Sequence, residues 1–296
     1  MNIDKILSKY NIIKSTPLNK GWSDDEKIIL EDINHKKMLL RVSNISLYDK
    51  RLKQYDLIKK INSLNIPSSK AIEFGILDDL NCYMLLSYIE GNDATHEINN
   101  LTDEEQYNLG YKAGEYLKKI HNIEHNNNEV WYDKYLIKMD KKIKALEECD
   151  YKIPNQEELI KYYRDSVHLM KNRPMVICHG DYHLGNMLIS NNELFIIDFD
   201  KNSIADPYDE FKPYCWNTKR SEYFETGLVD GYFNNLVPED FFLILKYYTI
   251  ESMISHLPWA VSFGIEEIKI AEEINLLHMK WWNNFKLDIP TWYKHK

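Results

Sequence analysis

His179-Gly180-Asp181-Tyr182-His183-Leu184-Gly185-Asn186, followed by the apolar run Leu194-Phe195-Ile196-Ile197 that ends in Asp198, is the stretch that decides the fold. It has the form H-x-D-x-x-x-x-N with a second aspartate at the end of a strand. Phosphoryl transfer from a nucleoside triphosphate uses that arrangement for one proton acceptor and two magnesium ligands. On this pattern Asp181 is the catalytic candidate, and Asn186 and Asp198 are the metal candidates. Magnesium takes hard oxygen donors, usually one or two from the protein with the rest from substrate phosphates and water, and an amide carbonyl with a carboxylate meets that demand.

The flanking residues predict how these groups meet. Residues 175–178 and 187–189 are short apolar runs on either side of the polar segment, and Asn191-Asn192 is a turn signal before Leu194. The expected order is strand, catalytic loop, strand, tight turn, strand, with the turn returning the chain antiparallel to itself so that Asp181 and Asn186 lie near Asp198. His179, Asp181 and His183 also spell H-x-D-x-H, which suits a metal-dependent hydrolase. The other histidines form no second cluster and no H-E-x-x-H pattern, so that reading ranks behind.

Composition narrows the class. The 296 residues, 44% apolar and 13% aromatic, suffice for one large domain or two packed lobes. A formal charge of -9, from 37 basic and 46 acidic residues, speaks against a nucleic-acid or anionic-membrane partner and suits a small cationic substrate. Cys82, Cys149, Cys178 and Cys215 are scattered without a C-x-x-C pair, as expected of reduced thiols in a cytoplasm. Neither a signal sequence nor a membrane helix is expected: the apolar run Phe241-Phe242-Leu243-Ile244-Leu245 stops at Lys246 and reads as a buried helix.

Along the chain an α+β organisation emerges, a small antiparallel sheet first and a mostly helical remainder. Residues 28–32 and 38–42 flank the polar turn Asn34-His35-Lys36-Lys37 and predict a hairpin. Leu52, Tyr55, Ile58 and Ile61 recur at helical spacing, and residues 71–76 and 82–89 read as two more strands joined at Asp78-Asp79. Glu90-Gly91-Asn92-Asp93 reads as a linker dividing residues 1–90 from 91–296, and Thr102-Asp103-Glu104-Glu105 as a capping box that starts a helix. Further helices are expected over 131–149, 157–171 and beyond 221.

On the donor side, Asn19-Lys20-Gly21-Trp22-Ser23-Asp24 is the candidate cover over the phosphates, with Gly21 and Ser23 as contacts, although it is not a P-loop. Arg41 lies within a strand, where a buried cation needs a partner that a phosphate would supply. Ser87, Tyr88 and Ile89 end the last strand of the sheet, where a purine would meet backbone groups.

Taken with Leu39-Leu40-Arg41-Val42, Tyr88-Ile89-Glu90-Gly91, Leu117-Lys118-Lys119-Ile120-His121, Ile197-Asp198-Phe199-Asp200 and Ala205-Asp206-Pro207-Tyr208-Asp209, the chain resembles the aminoglycoside phosphotransferase and choline-kinase-like group, whose fold is related to protein kinases. The resemblance covers nearly the whole chain and implies a two-lobed kinase-like fold. It also implies ATP or GTP as donor, Mg2+ held by Asn186 and Asp198, and Asp181 orienting the acceptor hydroxyl and taking its proton. The helix after the Arg41 strand offers Gln54 or Asp56 where a glutamate might be expected, and Phe199-Asp200 replaces the Phe-Gly of protein kinases. Asp206 and Asp209 follow the group's pattern as braces of the catalytic loop.

The acceptor is sought within residues 205–280, where Glu210, Asp230, Glu251 and Trp259 are the candidate contacts, because carboxylates and aromatic faces hold cations. The expected activity is transfer of the γ-phosphate to a hydroxyl of an aminoglycoside antibiotic, with a resistance role. A choline-like or other metabolite acceptor is the alternative, and a nucleotide-binding pseudokinase stands further behind.

Overall fold

The computed structural model describes residues 3–18, 25–127 and 129–294. The chain opens with α1 (Asp4–Lys9), β1 (Ile12–Pro17), β2 (Glu26–Asp32), β3 (Lys37–Asn44), α2 (Tyr48–Ser63), β4 (Ala71–Asp78) and β5 (Asn81–Ser87). The five strands form one antiparallel sheet in the order β1-β2-β3-β5-β4. The expected hairpin is β2–β3, with Ile28 opposite Leu40 and Leu30 opposite Met38. Alternation along β3 turns Met38, Leu40 and Val42 into a core shared with Ile6, Ile28, Leu30 and Leu85. Arg41 therefore points to the other face of the sheet, where α2 brings Arg51 and Gln54.

The chain continues through β6 (Asn92–Asp93), α3 (Ala94–Glu97), α4 (Asp103–His121), α5 (Trp131–Glu147), α6 (Gln156–Asp165), β7 (Val176–Cys178), β8 (Met187–Ser190), β9 (Glu193–Ile196) and β10 (Ser203–Ala205), then α7 (Tyr214–Thr218), α8 (Glu222–Phe233), α9 (Phe241–Val261) and α10 (Ile265–Trp281). Two compact units result, the first Met1–Ala94 with Asn186–Asp200, the second Thr95–Gly185 with Lys201–Lys296. The first unit thus takes in a late segment: β8 and β9 form the hairpin expected around Asn191-Asn192, and β6, inside the stretch read as a linker, pairs with β8. Antiparallel sheet first and helices after give the expected α+β organisation.

In the second unit the Thr102 capping box is present, its hydroxyl accepting the Glu105 N–H while the Glu105 carboxylate accepts the Thr102 N–H. α4 packs on α8 at backbone distance: a Cβ on Gly114 would stand 2.2 Å from the Leu228 carbonyl oxygen. α9 does not stop at Lys246 but runs to Val261, buried on nearly every side, with the Lys246 ammonium reaching Asp288 at 3.4 Å. Among the described residues no helix is long and apolar enough to cross a membrane.

Candidate active site

The loop that carries Asp181 is fixed at several points within the second unit. β7 delivers the chain into it, and β10, later in the chain, pairs antiparallel with β7, Cys178 opposite Ser203. Gly180 has φ +88°, and a Cβ there would stand 2.0 Å from the Lys201 carbonyl oxygen, so the sharp entry to Asp181 requires glycine. The Gly180 N–H donates to Glu210 Oε1 at 2.8 Å, the Asp181 N–H to His179 Nδ1 at 3.3 Å, and the Leu184 N–H to Asn217 Oδ1 at 2.8 Å. His179 is fully buried against the Tyr182 ring, and the Tyr182 hydroxyl donates to the Ala113 carbonyl. Behind Asn217 lies Glu225, which accepts its Nδ2–H at 2.7 Å and whose carboxyl burial pushes up to about 8. His179 therefore braces the loop, as do two residues that sequence reasoning missed, Asn217 and Glu225.

Asp181 itself is half-buried, with Lys201 Nζ 2.9 Å from Oδ2 and His183 Nε2 3.4 Å from Oδ1. Burial alone would raise its carboxyl, but hydrogen bonds and charge from His183 and Lys201 outweigh that and hold it well below the usual carboxylate range. Such a group is ionised at neutral pH and weakly basic in its resting state. It is suited to orient a hydroxyl and to take a proton only late in transfer. Lys201 also went unrecognised in the sequence, although it directly follows Ile197-Asp198-Phe199-Asp200.

In the first unit Asn186 and Asp198 flank the β8–β9 hairpin at its open end, where the Ile197 N–H donates to the Asn186 carbonyl at 3.0 Å. Asp198 is exposed and held at φ +62°, a conformation that aspartate tolerates better than most residues. A side-chain amide oxygen and a carboxylate are hard donors of the kind magnesium takes.

Arg41 belongs to the same unit and is 6% exposed. Its carboxylate partner is neither of the two expected on the helix. Asp25, at the threshold of β2, accepts from Arg41 Nε at 3.2 Å and Nη2 at 2.7 Å, and Asp200 accepts from Nη2 at 2.5 Å. Gln54 joins the network indirectly, accepting from Arg51 and donating to Asp200, while Asp56 is exposed. The Asp200 carboxyl, which burial would raise, is lowered by Arg41, Arg51 and Gln54. Ser87 exchanges hydrogen bonds with the Lys70 backbone, Tyr88 N–H donates to the Lys37 carbonyl, and Ile89 is half-buried beyond them. Gly21 and Ser23 lie outside the described residues.

Three of the four acceptor candidates are drawn inward. Glu210 is committed to the Gly180 amide and faces His121 Nε2 at 3.6 Å, so it braces the catalytic loop. Asp209 instead pairs with Lys212 and Lys138, and Asp206 takes a bidentate contact from Arg173 and the Tyr248 hydroxyl. Asp230 accepts from the Tyr107 and Tyr293 hydroxyls at 2.8 and 2.6 Å. Glu251, fully buried, is surrounded by Lys138, Lys142, Lys212 and Tyr135 and lowered by them against the burial that would raise it. Trp259 is 48% exposed, beside His256 and Phe263. Among the described residues the one metal-competent trio is His121, Cys178 and Glu210, not the H-x-D-x-H of the loop, which leaves the hydrolase reading without a ligand set.

Residues 14–241 match the model of the phosphotransferase enzyme family, abbreviated APH. Among solved structures, amicoumacin kinase hAmiN in complex with AMP-PNP, Ca2+ and Ami superposes with a TM-score of 0.67 at 11% identity, over 98% of this chain and 96% of that one. A putative fructosamine-3-kinase from Haemophilus somnus gives 0.64 at 12%, over 94% and 96%. The gentamicin complex of APH(2")-IIa gives 0.62 at 17%, over 92% and 94%.

Proposed function

The chain belongs to the phosphotransferase enzyme family and is a small-molecule kinase with an alcohol group as acceptor, and from that premise we propose that it moves the γ-phosphate of ATP to a hydroxyl of an aminoglycoside. The observation that carries the chemistry is the ionised Asp181 carboxylate on a loop braced at Gly180, Asp181 and Leu184. Asp181 accepts a hydrogen bond from the acceptor hydroxyl and receives its proton as the new O–P bond forms and the bond to the departing ADP breaks. Arg41 holds the phosphates, and Gly21 and Ser23 cover them. Ser87, Tyr88 and Ile89 flank the base. Asn186 and Asp198 would hold Mg2+, which when bound neutralises charge on the phosphate oxygens. ATP as donor is supported by neighbours bound to AMP-PNP or ADP, and GTP remains the alternative donor.

The aminoglycoside acceptor is supported by neighbours solved with gentamicin, streptomycin and spectinomycin and by the chain's net acidity. A second reading, a metabolite acceptor of low charge such as an amino alcohol, is favoured by the internal pairing of Glu210, Asp230 and Glu251, which leaves aromatic Trp259 as the exposed candidate. Assaying aminoglycosides, macrolides and amino alcohols with ATP and with GTP separates the readings. Turnover of a metabolite alone would remove the antibiotic one.

A further inference from the structure

We infer that Asp25 is the positioning residue that aims Arg41 at the nucleotide phosphates, filling from the β2 threshold the place that a helix carboxylate would otherwise fill. The inference rests on the reading of Arg41 as the phosphate cation.

The geometry is a closed set of two guanidinium groups and two carboxylates, all within the first unit. Asp25 Oδ2 takes Nε and Nη2 of Arg41, and its Oδ1 takes Arg51 Nη2 and the Ser43 hydroxyl, each at 2.7 Å. Asp200 closes the other side, on Arg41 Nη2 and, at 3.4 Å, on Arg51 Nη1. Arg51 spends all three of its nitrogens inside the set, on Ser43, Gln54 and Asp25. Arg41 does not: among the described residues its Nη1 makes no hydrogen bond, which leaves that edge for a phosphate oxygen.

Charge explains why Asp25 is needed. Gln54 is neutral, so α2 contributes a second cation, Arg51, and no anion at this place. Two buried guanidinium groups facing one carboxylate would leave a net positive charge out of water, which is costly unless paired. Asp25 restores neutrality and, with its Oδ2 shared between Nε and Nη2 of Arg41, holds that edge of the guanidinium in place. In the sequence Asp25 lies between the segment 19–24 and the strand residues 28–32, where no pattern singles it out.

The test is calorimetric titration of the full chain with MgATP and, separately, with adenosine, for wild type, Asp25→Asn, Asp25→Glu and Arg41→Ala, each with a thermal melt. The expected result for Asp25→Asn is MgATP binding weakened by about tenfold or more with adenosine affinity retained, and for Asp25→Glu a smaller loss confined to MgATP. MgATP binding by Asp25→Asn as tight as wild type or tighter overturns the inference, and so does an equal loss for both ligands, the signature of a purely structural role. Should Asp25→Asn fail to fold, Asp25→Glu carries the test, and unchanged MgATP affinity there overturns it. Arg41→Ala separates the two claims: normal MgATP affinity in that variant removes the Arg41 reading itself, whereas weak binding there beside normal binding in Asp25→Asn removes only the role of Asp25.

Discussion

Asp181, proposed to take the acceptor proton, and its counter-ions each make a distinct prediction. Asp181→Ala should lower kcat by about 10²–10⁴-fold while leaving ATP affinity near wild type, because the lost contact acts in the transition state. Equal loss of binding would mark a structural residue instead. Lys201 tests the electrostatics. Its ammonium helps hold the Asp181 carboxyl down, so Lys201→Met should raise that carboxyl and move the acid limb of the pH–rate profile to higher pH. An unmoved acid limb would show that Lys201 does not act on Asp181. The loop motif singled out Asp181, Asn186 and Asp198 as candidates in the sequence because the proposed chemistry prescribes their spacing. Lys201, Asn217 and Glu225 were not legible, since a brace is defined by the partner it reaches and their partners lie 8 to 33 residues away.

Elements that rest on local rules were the most readable. The β2–β3 hairpin, the α2 periodicity and the Thr102 capping box all appear where alternation, helical spacing and cap chemistry put them. β6 escaped because two residues carry no period, and its pairing with β8 is long-range. The apolar run 241–245 is the start of the buried helix it predicts, and α9 carries on through Lys246, whose ammonium reaches Asp288. At the α4–α8 contact, Gly114→Ala should cost about 1–3 kcal/mol of stability, read as a lowered denaturation midpoint, because its Cβ would meet the Leu228 carbonyl and the Tyr232 amide. α8 also holds Glu225, whose carboxyl is raised by burial to about 8 from roughly 4.3 in an unfolded chain. Between those values the folded chain keeps the proton that the unfolded chain releases, so stability falls as pH rises through the window. Glu225→Gln keeps an oxygen for Asn217 and removes the ionisation. Its stability advantage should therefore grow from pH 5 to pH 8, reaching the order of a few kcal/mol. Melts showing no growth would contradict the burial account.

For the molecule as a whole, fold and reaction class follow from the family to which residues 14–241 belong and from the sheet-then-helix architecture, whereas the acceptor depends on surfaces that neither fixes. The sequence invited an acidic acceptor site, and folding turned three of its four candidate side chains inward onto backbone amides, tyrosines and lysines. Acidity along a chain says little about where the charge ends up, because buried carboxylates with internal partners contribute to net charge but recognise nothing. The most direct measurement is transfer of labelled γ-phosphate from MgATP to a panel of aminoglycosides and amino alcohols by wild type and by Asp181→Ala. Wild type should give a labelled, hydroxyl-phosphorylated product, with near-complete loss in the variant. A wild-type chain that labels no small acceptor, or a variant that labels one as fast as wild type, would contradict the proposed reaction.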